Sequence, residues 1–216
     1  MAAIIIVQFE SPHLLARQLP AIARYIHGAQ VYVYDNSRIH SNKVRNKAHC
    51  DSYGAHYRSV TSDEKDFSMN HSRALNYAFI DLRHGHDVLL FLDHDMFPIK
   101  ETDILQQAQQ HAFIGFKQLV KGTPYLHPAL LTINTRRINY VDFTPCDGLD
   151  TGGRLAPLIT DENTAYISYA KNEDLGYEIL NGTFMHFVKG SNWTGAAGHN
   201  ERLKVLFDEL DKISDV

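Results

Sequence analysis

Continuous apolar runs alternate with longer, striped segments through the first half of the chain, and this alternation predicts strands and helices in turn. Ala3 to Phe9 is a largely β-branched run and predicts a buried strand. Ser11-Pro12 follows as an N-cap with proline at the first helical position. Leu15, Leu19, Ile22 and Ile26 then fall on one stripe of a helix reaching about His27, with Pro20 expected to bend it. Val31 to Tyr34 is the next strand, and a weaker one covers Ala55 to Val60. Ser68 to about Arg83 is helical, with Leu75, Ala78, Phe79 and Leu82 facing the core. Val88 to Leu92 reads as a central strand buried on both faces. The order β-α-β-β-α-β predicts an α/β sandwich with a largely parallel sheet. Its ligands belong at the carboxyl ends of the first, second and fourth strands.

The second half is less regular. Glu101 to His111 predicts a helix, and Ala112 to Leu119 and Ala129 to Thr135 predict strands. Pro145, Gly148, Gly152 and Gly153 make a loop of the segment from Asp142 to Gly153. A short helix over Arg154 to Ile159 follows. The last helix, Asn200 to Ile213, packs Leu203, Leu206, Phe207, Leu210 and Ile213 across the core. At 216 residues and 44% hydrophobic, the chain can bury one substantial core, so a single domain over residues 1–216 is expected.

A net charge of −4 provides no general polyanion-binding surface, which disfavours nucleic acid as the main ligand. Cys50 and Cys146 are far apart and form no C-x-x-C pair, as expected of reduced thiols in a cytoplasmic protein. The opening MAAIIIVQFE has no basic region, and its apolar run ends at Val7, far short of the roughly 18 residues a membrane span requires. No membrane span is expected. Without an export signal, the sequons at Asn181 and Asn192 carry no meaning.

Candidate chemistry concentrates in DVLLFLDHDMFPI, where the Val88 to Leu92 strand runs into Asp93-His94-Asp95. With 17 Asp in 216 residues, chance alone supplies about one D-x-D, and there is one. Position gives it weight: two carboxylates leaving a buried strand can both reach a divalent cation, or they can cap a solvated turn. The second anchor is His186 in FMHFVKG, where Phe184 and Phe187 mark a late strand. A lone His there is either a ligand or a hydrogen-bonded core residue.

Taken together, a first strand ending in a short polar loop, VYVYDNS, the NHSRALNYAF helix and FLDHDMFP resemble GT-A-fold glycosyltransferases of the family-2 kind. The likeness runs from Ile4 to Pro98 in order and resumes over Phe184 to Trp193. There is also a likeness to small stand-alone transferases of bacterial polysaccharide clusters and large algal viruses. The resemblance implies a Rossmann-like α/β/α sandwich with a nucleotide-binding half, 1–98, and an acceptor half, 99–216. It implies Mn2+ or Mg2+ bridging the diphosphate of a nucleotide sugar. Asp95 would bind the ion directly, with Asp93 on ribose hydroxyls, the metal or a metal-bound water. His94 would be a nucleotide contact or a packing residue. A late His completes the metal shell in similar enzymes, which assigns His186 as an imidazole ligand and favours Mn2+. Lys189, Ser191, Asn192 and Trp193 resemble a flap over the phosphates. Gln8, Phe9, Glu10, Asp35 and Asn36 would hold the base and ribose, preferring UDP or dTDP. Arg73 would face the diphosphate, Asn76 would tie its helix to a loop, and His71 is a weaker candidate.

The acceptor side belongs to the irregular half. Asp150 is either a helix N-cap or the general base for an acceptor hydroxyl; Asp147 is second choice, and Glu173 with Asp174, as a pair opening a helix, the third. The chain lacks a clear E-D-x-x-W signature. Tyr125, His127, Tyr140 and Phe143 supply either a sugar-stacking wall or core. The expected activity is metal-dependent transfer of a hexose or deoxyhexose to a saccharide hydroxyl with inversion. A nucleotidyltransferase would need a Gly-rich basic phosphate loop, and VQFESPHLL has none. A metallohydrolase would need H-E-x-x-H-type spacing, also missing. A non-catalytic nucleotide-sugar-binding module is the remaining alternative.

Overall fold

The three most apolar segments lie side by side. In the computed structural model, which describes residues 1–60, 64–120, 122–188 and 199–214, β1 (Ala2–Gln8) sits between β2 (Ala29–Asp35) and β4 (Val88–Asp93). All three run parallel, with Ile4 opposite Val31 on one side and Leu90 on the other. Successive β1 side chains feed opposite faces. Ile4 and Ile6 pack with Leu15, Leu19 and Ile22 of α1 (Pro12–Tyr25). Ile5 and Val7 pack with Leu75, Ala78 and Phe79 of α3 (Phe67–Leu82). A parallel sheet must be covered on both faces, and these two helices do it.

Between β2 and the short β3 (His56–Ser59), the structure adds α2 (His40–Tyr53), so the order becomes β-α-β-α-β-α-β. The hydrophobic pattern missed α2 because it buries only Asn46 and Cys50 and so has no apolar stripe. Its N-terminus is held from outside: the Glu10 carboxylate accepts from the backbone N–H groups of Arg38 and Ile39 and from Asn42. Its C-terminus closes on Gly54 at φ +65°, a left-handed position where only glycine is unstrained.

The sheet continues antiparallel through β7 (Thr123–Asn134) and β6 (Phe113–Val120) and ends with β8 (Thr164–Tyr166), giving the order β3-β2-β1-β4-β7-β6-β8. A second, antiparallel sheet has the order β5-β11-β10-β9, from β5 (Met96–Pro98), β9 (Tyr169–Asn172), β10 (Tyr177–Leu180) and β11 (Phe184–Phe187). Helix α5 (His199–Ser214) packs Leu203, Leu206 and Leu210 onto Phe97, Met185 and Phe187 of this sheet.

Two expectations are corrected. The helix expected over Glu101 to His111 shrinks to α4 (Ile104–Gln107); beyond it the N–H groups of Gln109 and Gln110 bond three residues back, to Gln106 and Gln107, and the Asn134 amide takes the carbonyls of Ala108 and Gln109. Glu173 and Asp174 open no helix; they lie in the turn between β9 and β10. Both cysteines are free thiols. Among the described residues no helix is long and apolar enough to cross a membrane.

Replacing Gly54 by alanine meets no neighbour but forces an L side chain into the left-handed region. Gly54→Ala is expected to lower stability by about 1 kcal/mol in urea denaturation; an unchanged midpoint would show that α2 does not depend on this cap.

Candidate functional site

Strand β4 delivers Asp93 at the open edge of the sheet, and the chain turns at once through His94 and Asp95 into β5. Gln18, a fully buried polar residue on the apolar stripe of α1, pins that turn. Its amide donates to the carbonyls of Asp93 and Met96, each at 2.7 Å. Strand β5 pairs antiparallel with β11, setting His186 opposite Met96, and the Phe187 N–H reaches the Asp95 carbonyl at 2.9 Å. Strand β10 in turn sets Glu178 directly opposite His186. The β10–β11 hairpin turns through Asn181, Gly182 and Thr183, with Asn181 and Gly182 both at positive φ (51° and 68°) and the Thr183 N–H donating to the Leu180 carbonyl at 3.0 Å. Register alone thus brings Asp95, His186 and Glu178 together.

All three are nearly inaccessible, at 4, 8 and 5% exposure. The His186 Nδ1 lies 3.2 Å from Glu178, its Nε2 lies 3.7 Å from Asp95, and Lys171 closes on the far Glu178 oxygen at 3.4 Å. Burial by itself would lower the His186 pKa. The Glu178 hydrogen bond and the Asp95 charge outweigh it and leave the pKa raised. An imidazole oriented by a carboxylate through one nitrogen and facing a second carboxylate through the other is the arrangement found behind metal-ligating histidines. This donor set fits a divalent ion held by Asp95 and His186, with oxygens of a bound ligand supplying the remainder. The expected third ligand, Asp93, stands apart. Its carboxylate is 3.1 Å from His71 Nε2, and among the described residues no three His, Cys, Asp or Glu side chains converge on one ion position. The burial penalty on Asp93 is overcome by the charge and hydrogen bond of His71, so its pKa is lowered.

His127 arrives by a different device. Between the pairs Gly115–Leu131 and Lys117–Leu126, β6 contributes Phe116 alone while β7 contributes His127 to Leu130, a bulge that carries β7 past the end of β4. The Ala129 N–H donates to His127 Nδ1 at 3.2 Å. The neutral ring therefore carries its proton on Nε2. Burial lowers its pKa against the pull of Asp93 and Asp150, so it stays a neutral donor. Its ring lies 6.2 Å from that of His186.

Asp150 does not cap the 3-10 helix Gly153–Leu158, whose N-cap is Gly152. One of its oxygens accepts instead from the Ser68 hydroxyl, in the first turn of α3, and from the Thr151 N–H at 2.7 Å. These bonds, with the nearby His127 and His71, overcome burial and lower its pKa. Asp147 sits exposed at φ +51° in the turn closed by the Cys146–Leu149 bridge. Phe143 is core against Phe91, Tyr140 is 70% exposed, and Tyr125 is buried, with its hydroxyl pushed up to about 12 by burial and the Asp150 charge.

On the nucleotide side, the residues divide. Gln8, Asn36 and His94 are buried at the ends of β1, β2 and β4, and the Gln8 amide, Asn36 Oδ1 and His94 Nε2 have no hydrogen-bond partner in the protein. Buried polar atoms are nearly always paired, which sets this group apart from the fully bonded Asp35 beside it. Asp35, by contrast, is wholly buried and accepts from the Ser37 N–H, the Asn46 amide and the Tyr57 hydroxyl, each at 2.9 Å. It therefore ties β2 to α2 and β3 and does not face a base. Glu10 is spent on the α2 terminus, and Phe9 packs edge-on to Phe67. Arg73 points outward to Glu64 at 3.2 Å, while His71, the weaker candidate of the two in the sequence, reaches Asp93. Asn76 ties α3 to the Asp142–Phe143 loop as expected. Lys189, Ser191, Asn192 and Trp193 lie outside the described residues.

No family model and no curated protein matches the chain. Solved structures do. A mannosyltransferase from Pyrobaculum calidifontis, in complex with GDP-Man and Mn2+, matches over 70% of this chain with TM-score 0.50 and 18% identity. An active-site mutant of the galactosyltransferase LgtC matches over 76% with TM-score 0.52 and 14% identity. The chain spans 49% of the mannosyltransferase and 72% of LgtC. At these identities the likeness shows the fold: a GT-A-type α/β sandwich on a mixed, mostly parallel seven-stranded sheet.

Asp35→Ala is expected to cost about 3 kcal/mol or more in chemical denaturation, since three donors would lose their acceptor, two of them on buried groups. Unchanged stability with only nucleotide affinity lost would return Asp35 to the ligand.

Proposed function

We propose that the protein is a metal-dependent glycosyltransferase that moves a hexose or deoxyhexose from a UDP- or dTDP-sugar to a saccharide hydroxyl with inversion. The observation that carries this reading is the Asp95–His186 pair, backed by Glu178 at the open sheet edge, beside buried polar atoms that lack partners. The similarity to sugar-nucleotide transferases of the same fold supports it. Asp95 and His186 would hold Mn2+, or Mg2+, which when bound offsets charge on the diphosphate as a Lewis acid. Gln8 and Asn36 offer the amide donors and acceptors that an unpaired pyrimidine edge and a ribose require. His127, fixed with its proton on Nε2, provides a neutral donor beside the same edge. Asp150 is the general base. It is ionised at neutral pH, and Ser68 and Thr151 fix the carboxylate by one oxygen.

The reading is tested by nucleoside diphosphate release from a panel of UDP- and dTDP-sugars with Mn2+ or Mg2+, which should be faster with a saccharide acceptor than without. Release from none of them contradicts it, and metal-dependent binding without turnover points to a binding module.

Two sets of variants separate the roles. Asp95→Ala is expected to abolish Mn2+-dependent nucleoside diphosphate binding in calorimetry, and His186→Ala to weaken it by a smaller factor. Glu178→Gln should weaken it by about 10- to 100-fold, the usual effect of losing a carboxylate behind a metal-bound histidine. Unchanged affinity in Asp95→Ala removes the metal argument. Asp150→Asn keeps an oxygen for Ser68 and Thr151, so donor affinity and thermal midpoint should hold while kcat falls by about 100- to 10,000-fold. Near-normal turnover there moves the base to Asp147.

A further inference from the structure

Beyond the metal edge, a surface cavity of about 260 Å3 is lined by Lys117, Pro124, Tyr125, Ile159, Thr160, Asp161 and Tyr166. Three strands and a loop build it. Lys117 comes from β6, Pro124 and Tyr125 from the facing end of β7, and Tyr166 from β8, which pairs with β6 beside Gly115. Its walls are fixed by contacts of their own. The Tyr166 hydroxyl donates to Asp161 at 2.8 Å, the Lys117 ammonium lies 4.8 Å from the Tyr166 ring centre, and the Tyr125 hydroxyl donates to Gln118 at 2.9 Å. Nothing in the metal and nucleotide site uses Lys117, Asp161 or Tyr166.

The chemistry of this lining is selective. An ammonium, a carboxylate, a threonine hydroxyl and two phenols converge with the apolar edges of Pro124 and Ile159. A compact ligand carrying hydroxyls around an otherwise hydrocarbon ring satisfies both kinds of wall. A phosphate or nucleotide does not, since the single cation is matched by Asp161. Continuity with the reaction edge runs along β7. Tyr125 lines the cavity and feels the charge of Asp150, the His127 ring is 6.5 Å from that of Tyr125, and His127 is 6.2 Å from His186.

We infer that this cavity seats a neutral pyranose unit of the acceptor saccharide, with Lys117 and Asp161 on its hydroxyls and the chain of the glycan leading past Tyr125 toward Asp150. The inference rests on the transferase reading for the word acceptor, but its test requires no turnover.

Saturation-transfer NMR on the full chain would use methyl α- and β-pyranosides of glucose, galactose, mannose and N-acetylglucosamine as probes. At least one is expected to bind, and Tyr166→Ala and Lys117→Met are each expected to weaken it by about tenfold or more, a loss of one good contact. Circular dichroism and the thermal midpoint check that both variants, at exposed positions, remain folded. Binding by none of the probes, or binding indifferent to both substitutions, overturns the inference whatever the turnover shows. Pyranoside binding that responds to both substitutions, in a protein that turns over no nucleotide sugar, overturns the transferase reading instead and leaves a saccharide site.

Discussion

A carboxylate taken out of water costs several kcal/mol unless a partner meets it, and this fold gathers Asp93, Asp95 and Glu178 along one edge, with the exposed Asp150 nearby. Each is met by an imidazole or sits close to one. His71 faces Asp93, His186 lies between Asp95 and Glu178, and His127 lies near Asp93 and Asp150. These histidines come from a helix, a late strand and a bulge, so three different elements meet at the carboxylates along the edge of β4. The same arrangement leaves Asp95 and His186 facing each other with their outer sides already fixed. That is what a cation bridging to an anionic ligand requires.

The rest of the architecture keeps that edge in place. The parallel β2-β1-β4 core is buried on both faces, while α1 uses Gln18, within its own apolar stripe, to hold the turn after Asp93. The small second sheet is clamped from below by α5 and positions His186 by strand register, with no long loop involved. The bulge in β7 serves both sides of the site: its His127 end meets the metal edge, and the hairpin beyond it forms the wall of the saccharide cavity.

The legible parts of the sequence were those whose burial is either continuous, as in the central strands, or periodic, as in the helices. Strands β1 and β4 and helices α1 and α3 announce themselves through Ile, Val and Leu spacing, and the D-x-D followed from its place after a buried strand. Helix α2 has no such stripe, and strands of three or four residues such as β8 and β9 are too short to show a period. One available signal went unread: Asn181-Gly182 between YEIL and TFMHF marks a hairpin, although only the observed three-residue connection, with Leu180 opposite Phe184, sets Glu178 against His186. Polar residues at strand ends were the hardest. Asp35 and Gln8 lie side by side in the β1–β2 register, yet one closes an internal network and the other lacks a partner, a difference only packing decides. Arg73 and His71 differ by about 200° around a helix, so a one-turn analogy could not tell which faces the site.

The central claim is that Asp95 and His186, oriented by Glu178, hold a divalent ion that a nucleoside diphosphate shares. Its most direct test is a crystal of the protein grown with Mn2+ and uridine diphosphate, with anomalous diffraction recorded at the manganese edge. The account predicts one strong anomalous peak in contact with the Asp95 carboxylate, His186 Nε2 and the diphosphate oxygens, with the uracil near Gln8 and Asn36. A peak away from Asp95 and His186, or a nucleotide bound without any ion there, would contradict it.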